Sequence, residues 1–435
     1  MSKKDKILSE LSYQLSSKLS LDEKKKDGIY FTPNNIVKTN LIIIKNYCNI
    51  NNITINSVLE PACGSCEYIN KIHILFNNHN FNVLGIEYNK IIFKEIEKLK
   101  LNKNIKLINQ NFLDYNNDEK YDLIIGNPPF YVINKTDIES FKNKVNETDS
   151  KAFENKYNKY YTGRANIFIL FIIHSLNLLN NNGILSFVLP KSFVNCMYYD
   201  KLRNHIYHNY KIIDLFESDS QQFIATGQKV IVLIIHKVTS NTQELLTHNN
   251  NFTLIKNNYT IFNTQENIKR IKDLYIDSTT LNQLKFDVKV GSVVWNQVKG
   301  DLTDDTTKTR LIYNGDIVDN VLTLKEYKGS KKNFINKKGK TEPLLIINRG
   351  YGRGDYNFNY CLLDLDFPYL IENHIICIES EKKMSKENLI SYYKNIISSI
   401  SNSKTKKFID LYFGNNAINT TELKYILPIY TITNG

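Results

Sequence analysis

Between about residue 53 and residue 236, short β-branched runs alternate with segments of helical length, and no other feature constrains the fold as much. Asn56–Glu60, Phe81–Glu87, Ile105–Ile108, Tyr121–Ile125, Gly183–Leu189, Lys211–Phe216 and Val230–His236 read as strands. Cys66–Phe76, Asn89–Leu101, Ala165–Leu179 and Lys191–His208 read as helices between them. Parallel strands need crossovers of about a dozen residues or more, so this order predicts a mainly parallel α/β sheet with helices on both faces. Ahead of the series, Thr32 and Pro33 predict a helix start, with Thr as N-cap and Pro in the first turn.

After Lys237 the rhythm changes. Residues 241–252 are polar and rich in Asn and Thr, which predicts a linker between a domain over 1–240 and a second one over 253–435. The later region offers short strand-like pieces (Ser292–Trp295, Leu344–Ile347, His374–Ile378) and a helix near Lys386–Ile397, an α+β, strand-rich pattern. A length of 435 residues, more than one core usually organises, agrees with two domains.

Lys and Arg exceed Asp and Glu by 56 to 44, and the surplus is spread over both halves of the chain. That suits a surface lying along a polyanion, and equally a plain solvated lysine coat. Met1–Lys26 is rich in Lys and Ser without an apolar h-region, and the longest apolar runs (Ile167–Ile173, Val230–Ile235) are too short to cross a bilayer. The six cysteines are scattered, so a reduced, cytoplasmic protein without membrane attachment is expected.

The sharpest chemical signal is Asp122–Phe130, DLIIGNPPF. An apolar strand ends in Gly126 and runs into Asn127, Pro128, Pro129 and Phe130. The prolines offer no N–H and hold the chain so that the Pro128 carbonyl is presented beside the Asn127 side-chain oxygen. Two convergent acceptors and the flat face of Phe130 make a receptor for a planar –NH2 group. A second signal is SVLEPACGSCE over Ser57–Glu67, followed by Glu87 at the end of the next strand. A strand, a small-residue turn and a helix let backbone approach a nucleotide closely, and an acid about 20 residues on is placed to accept two ribose hydroxyls.

Together these residues resemble the S-adenosylmethionine-dependent adenine-N6 DNA methyltransferases, specifically the gamma class, in which an N-terminal catalytic domain precedes a target-recognition domain. The resemblance spans roughly residues 25–240 and implies a Rossmann-like, doubly wound methyltransferase sheet with S-adenosylmethionine as cofactor. It implies that Tyr30 and Thr32, in GIYFTP, lie over the methionine end of the cofactor. Glu60, Pro61, Ala62, Cys63 and Gly64 would form the first cofactor turn, Glu87 would hold the ribose, and Phe168, in ANIF, would line the same pocket. Asn127, Pro128, Pro129 and Phe130 would be the catalytic loop, with Phe223 facing a flipped base. Two departures stand out. Cys66 replaces the usual second glycine of the turn, and Asn111–Phe112 replaces an Asp–Phe pair. Phe112 should flank the cofactor adenine, while either Asn111 or Asp114 meets its amino group.

The implied partner is double-stranded DNA, bound by a monomer, with a separate cognate restriction endonuclease where methylation is protective. In the second domain Lys331 and Lys332 are candidates for phosphate contact, and Arg349 and Arg353 for guanine edges. No metal is expected: Cys63-x-x-Cys66 has no second pair, and the histidines lack ligand spacing. RNA adenine and protein-glutamine methylation use the same kind of amine receptor, and a decayed DNA-binding relative is a third reading.

Overall fold

The computed structural model of the chain describes residues 9–75, 81–116, 118–132, 159–161, 166–218, 229–238, 242–349, 358–412 and 418–430. The chain divides into two units, Met1–Ile268 and Lys269–Gly435.

Unit 1 opens with helices α1 (Glu10–Lys18), α2 (Leu21–Asp27) and α3 (Asn34–Asn51), followed by β1 (Ser57–Glu60) and α4 (Glu67–Lys71). Then come β2 (Asn82–Glu87), α5 (Lys90–Ile96), β3 (Ile105–Asn109), β4 (Tyr121–Gly126), α6 (Ile167–Leu178) and β5 (Leu179–Pro190). α7 (Asp200–Asn209), β6 (Lys211–Ser218) and β7 (Val230–His236) complete a seven-stranded sheet of order β3-β2-β1-β4-β5-β7-β6. The pairs among β1–β5 are parallel, and β7 lies antiparallel between β5 and β6. All seven residues of β7 are buried, as a strand covered on both faces requires.

Alternate strand residues feed two cores. Leu59 and Ile124 face one with α6, while Val58, Leu123 and Ile125 face the other with α3. Helix α6 is apolar nearly all round and buried along most of its length. α3 buries Ile36, Val37, Leu41, Ile44 and Cys48, the one-sided spacing of a surface helix. The chain leaves β1 for β2 and β3 on one side and returns to β4 on the other. The ends of β1 and β4 therefore flank a topological switch point, where open α/β sheets hold ligands.

Several expectations are corrected. Pro33, not Thr32, is the cap residue of α3, with extended φ −58° and ψ 142° and no side-chain cap bond. Lys191–His208 is not one helix: it forms short turns at Lys191–Val194 and Met197–Tyr199 before α7. The buried Arg203 guanidinium takes the Phe193 and Cys196 carbonyls, at 2.8 Å each, and so ties both turns to α7. Residues 241–252 are not a free linker. Thr242–Asn249 is a helix, α8, whose buried Asn249 accepts the Ile212 N–H and donates to the Tyr207 and Tyr210 carbonyls. The hairpin Thr253–Lys256/Tyr259–Phe262 follows, and Arg203 Nε donates to the Thr260 carbonyl. Composition reads a polar segment as exposed, but a buried asparagine with three bonds is a structural plug.

Unit 2 holds an antiparallel sheet in the order Phe286–Val290, Ile375–Ser380, Leu344–Asn348, Tyr360–Leu363. A second sheet joins Leu302–Thr303, Phe334–Ile335, Thr309–Ile312 and Tyr369–Ile371, and helices lie at Lys386–Ile400, Ser403–Tyr412 and Thr420–Tyr425. The segment Ser292–Trp295, expected as a strand, makes only an isolated bridge from Val293 to Glu372. Among the described residues no helix is long and apolar enough to cross a membrane.

Candidate active site

A cavity of about 680 Å³ opens at the ends of β1, β2 and β4. Of the residues singled out in the sequence, Tyr30, Pro61, Ala62, Gly64, Glu87, Asn111, Phe112, Asn127 and Pro129 line it. Residues more than 80 positions apart thus meet at one site because parallel strands end on the same side of the sheet.

The turn after β1 is built on two left-handed residues. Gly64 has φ 51° and Cys66 φ 62°. Cysteine therefore keeps the backbone that a glycine adopts without strain. Its N–H closes the turn on the Cys63 carbonyl at 2.6 Å. Cys63 is buried, its thiol pushed well up by a hydrogen bond with Cys66 and by burial, and it does not line the cavity. Glu67, just beyond, accepts at Oε1 from the Ser9 and Ser12 hydroxyls. That pins α1, and with it the segment reaching the cavity, to the turn.

Glu87 is nearly buried at the end of β2. Its Oε2 accepts the Gly64 N–H at 2.9 Å and its Oε1 the Asn89 N–H at 2.7 Å. Burial pushes its carboxyl up to about 7 against the lowering effect of those bonds. Glu60 is also buried, its carboxyl raised well above the usual range chiefly by burial, and its Oε2 has no partner among the described residues. It lies behind the cavity wall rather than in it.

At the end of β4, Asn127 donates from Nδ2 to the Tyr30 carbonyl at 2.9 Å. Its Oδ1 is buried and accepts no hydrogen bond among the described residues. A buried acceptor left unmade costs about 1–3 kcal/mol, so a donor is missing there. The strand that bears Asn127 is fixed by pairing with β1 and β5. Pro128 is buried, and neither it nor Phe130 lines the cavity. Phe130 meets Phe168 edge to face, with ring centroids 6.0 Å apart.

Phe168 itself does not line the cavity. Its neighbours Ile167 and Phe171 do, while Phe168 also packs on Phe193 and Tyr199. Thr32 is buried outside the cavity. Phe112 is held between Phe171 (5.0 Å) and His174 (4.7 Å). The Asn111 oxygen accepts the Leu113 N–H at 3.1 Å, and Asn111, not Asp114, reaches the cavity.

Sequence reasoning passed over Asp27, Gly28 as a point of close approach, Asn89 and Tyr131, all cavity-lining. Gly28 ends α2 with φ 63°, and a Cβ there would stand 2.7 Å from the Phe130 nitrogen and 3.1 Å from Pro129 Cβ. The signal was a glycine following a lysine-rich turn, the usual helix stop.

In unit 2, Lys331 Nζ sits over the rings of Tyr313 (4.8 Å), Trp295 (5.2 Å) and Tyr327 (5.4 Å), and Lys332 pairs with Asp304. Arg349 is half-buried just after Leu344–Asn348. Phe223 and Arg353 lie outside the described residues. Among the described residues no group of three or more His, Cys, Asp or Glu side chains is arranged to hold a metal ion.

A seven-stranded sheet with one reversed strand and a nucleotide-sized cavity at its switch point defines a methyltransferase fold. Residues 10–223 match the Eco57I restriction-modification methylase family. The type II methyltransferase M.CvrRI of Paramecium bursaria Chlorella virus XZ-6E is 26% identical over 380 residues, covering 86% of this chain and 89% of that protein. The modification methylase CviBIII of Paramecium bursaria Chlorella virus NC1A is 23% identical over 419 residues, 95% and 96% of the two chains. Among solved structures, the cryo-EM structure of a DrdV–DNA complex shares the fold with a TM-score of 0.52 at 12% identity, over 94% of this chain and 57% of that one. By these likenesses the chain is similar to restriction-modification DNA methyltransferases, and the match to the methylase family falls within its first unit.

Proposed function

We propose that this protein transfers a methyl group from S-adenosylmethionine to the N6 amine of an adenine extruded from duplex DNA. The observation that carries this reading is Asn127, whose buried amide oxygen has no donor among the described residues and which lines a nucleotide-sized cavity.

The cavity suits the cofactor on its own chemistry. Glu87 offers carboxylate oxygens for ribose hydroxyls, and Gly64 lets backbone come close to a ligand because it carries no side chain. Phe112 supplies an apolar wall for the adenine ring, with Asn111 beside it. Tyr30 closes the side of the cavity that would take the methionine end, while Glu60 stays behind its wall. Bound S-adenosylmethionine supplies an electrophilic sulfonium methyl.

The remaining chemistry belongs to the chain. The lone pair of an adenine amine is delocalised into its ring, which makes the nitrogen a poor nucleophile. The Asn127 oxygen and the Pro128 carbonyl accept its two N–H bonds, favouring a pyramidal nitrogen and stabilising the positive charge that grows on it. The Tyr30 carbonyl fixes which end of the Asn127 amide faces the substrate. Phe130, backed by Phe168, and Phe223 hold the extruded base by stacking, roughly 1–3 kcal/mol per base. Where a cognate endonuclease exists, it acts as a separate protein.

Transfer of labelled methyl from S-adenosylmethionine to unmethylated duplex DNA, with single-molecule sequencing of the product, tests this. N6-methyladenine in one short motif is expected. Label on RNA or protein alone would overturn the reading.

A further inference from the structure

Among the described residues of unit 2, four buried side-chain atoms lack a hydrogen-bond partner: Arg310 Nε and three asparagine oxygens. Asn314, Asn348 and Asn373 each carry a buried side-chain oxygen with no partner among the described residues. The topology brings all three to one end of unit 2. Asn348 ends its strand opposite Ile375, two residues after Asn373. Asn373 donates its N–H to the Val293 carbonyl at 2.9 Å. Asn314 follows the strand that runs parallel to Tyr369–Ile371, and its N–H meets Glu372 Oε1 at 2.8 Å. Glu372 is buried and also faces His374 Nδ1 at 3.3 Å, so one carboxylate holds the Asn314 backbone on one side and the His374 ring on the other.

Each unmade bond costs stability in the free protein. Three at one strand end call for a donor-bearing ligand. The amide torsion of asparagine is broad, and among the described residues none of the three amide oxygens holds a bond that rotation would break. Such an amide can turn edge-on and offer a donor and an acceptor together, the pattern that matches N7 and N6 of adenine in the major groove. Cations border the patch: Arg349 follows Asn348 directly, and Lys331 stands over Trp295 and Tyr313, beside Val293 and Asn314.

We propose that Asn314, Asn348 and Asn373 form the surface of unit 2 that reads base edges in duplex DNA, and so determine which sequence is bound. This rests on the DNA-methyltransferase reading for its ligand class. Glu372 is a positioning residue that holds the Asn314 backbone.

The test selects duplexes from a random-sequence library with the full-length protein and with Asn314→Ala, Asn348→Ala and Asn373→Ala. Trp295, the single tryptophan of the chain, reports binding by its fluorescence. Each replacement should weaken binding to the selected duplex about 5- to 100-fold and make one position of the motif degenerate. Binding to scrambled duplex should stay within twofold. Thermal midpoints should hold or rise, since no hydrogen bond of the side chain is lost. An unchanged motif and affinity in all three variants overturns the proposal, and so does unfolding of all three, which would mark the amides as structural. Should one alanine variant unfold, Asn→Ser at that position carries the affinity measurement. If the unaltered protein selects a motif yet transfers no methyl, the methyltransferase reading falls and the base-reading surface stands. If it selects no motif, the surface falls whatever the transfer assay gives.

Discussion

The side-chain amide of Asn127 is tethered at one end only: Nδ2 donates to the Tyr30 carbonyl at 2.9 Å, while the buried Oδ1 accepts nothing among the described residues. The tether removes the ambiguity of an asparagine flip and leaves the acceptor for substrate. Asn127→Ala should lower kcat at least about 100-fold, the scale of deleting one preorganised polar contact to a developing charge. The dissociation constant for S-adenosylmethionine should change less than about threefold. Single-turnover transfer and calorimetric cofactor titration separate the two, and retained turnover would remove Asn127 from the mechanism.

Gly28→Ala should damage the site from outside. The new Cβ meets the Phe130 nitrogen and Pro129, and φ of 63° adds roughly 1–2 kcal/mol of left-handed strain. The Gly28–Tyr30 backbone must move, which loosens the hold on Asn127. Lower thermal stability together with reduced kcat is expected. Normal turnover at reduced stability would show that the close approach is only structural.

Glu87 predicts how cofactor binding responds to pH. Ribose hydroxyls are held by the carboxylate, and burial places this carboxyl near 7 in the cofactor-free protein. Affinity for S-adenosylmethionine should therefore fall by up to about tenfold per pH unit below 7 and level off above it. The stability effect has the opposite sense. Between about 4.5 and 7 the folded carboxyl keeps a proton that the unfolded chain has released. Glu87 therefore makes the cofactor-free protein less stable as pH rises through that window. Titrations from pH 5.5 to 8.5 on the unaltered protein and on Glu87→Gln test both, and a profile that the variant shares unchanged would assign the titration to another group.

The left-handed backbone of Cys66 sets the order of its substitutions. At φ 62° a glycine is unstrained and an alanine is not. Cys66→Gly should be more stable than Cys66→Ala by about 1 kcal/mol, because glycine adopts the left-handed backbone freely and is also the better of the two as an N-cap. Chemical denaturation of the two variants measures the difference, and equal midpoints would mean that the turn relaxes to another backbone.

The sheet of unit 1 was legible in the sequence because a strand buried on both faces must be a continuous apolar run, as Val230–Ile235 is. Asn127, Glu87 and Gly64 were legible for a related reason: ligand chemistry sits just beyond strand ends, and strand ends are marked by glycine, proline and acid. Only the tertiary structure decided what depends on distant partners. Nothing local to residues 242–249 says that Asn249 plugs the carbonyls of Tyr207 and Tyr210. The tether of Asn127 joins positions 97 residues apart. The same holds for the three unsatisfied amides of unit 2, since a hydrogen bond left unmade is a property of the packed surroundings and has no spacing to read. Local pattern determines which elements form and where chemistry can be placed. Which polar atoms stay without a partner, and so remain available to a ligand, is settled when the elements pack.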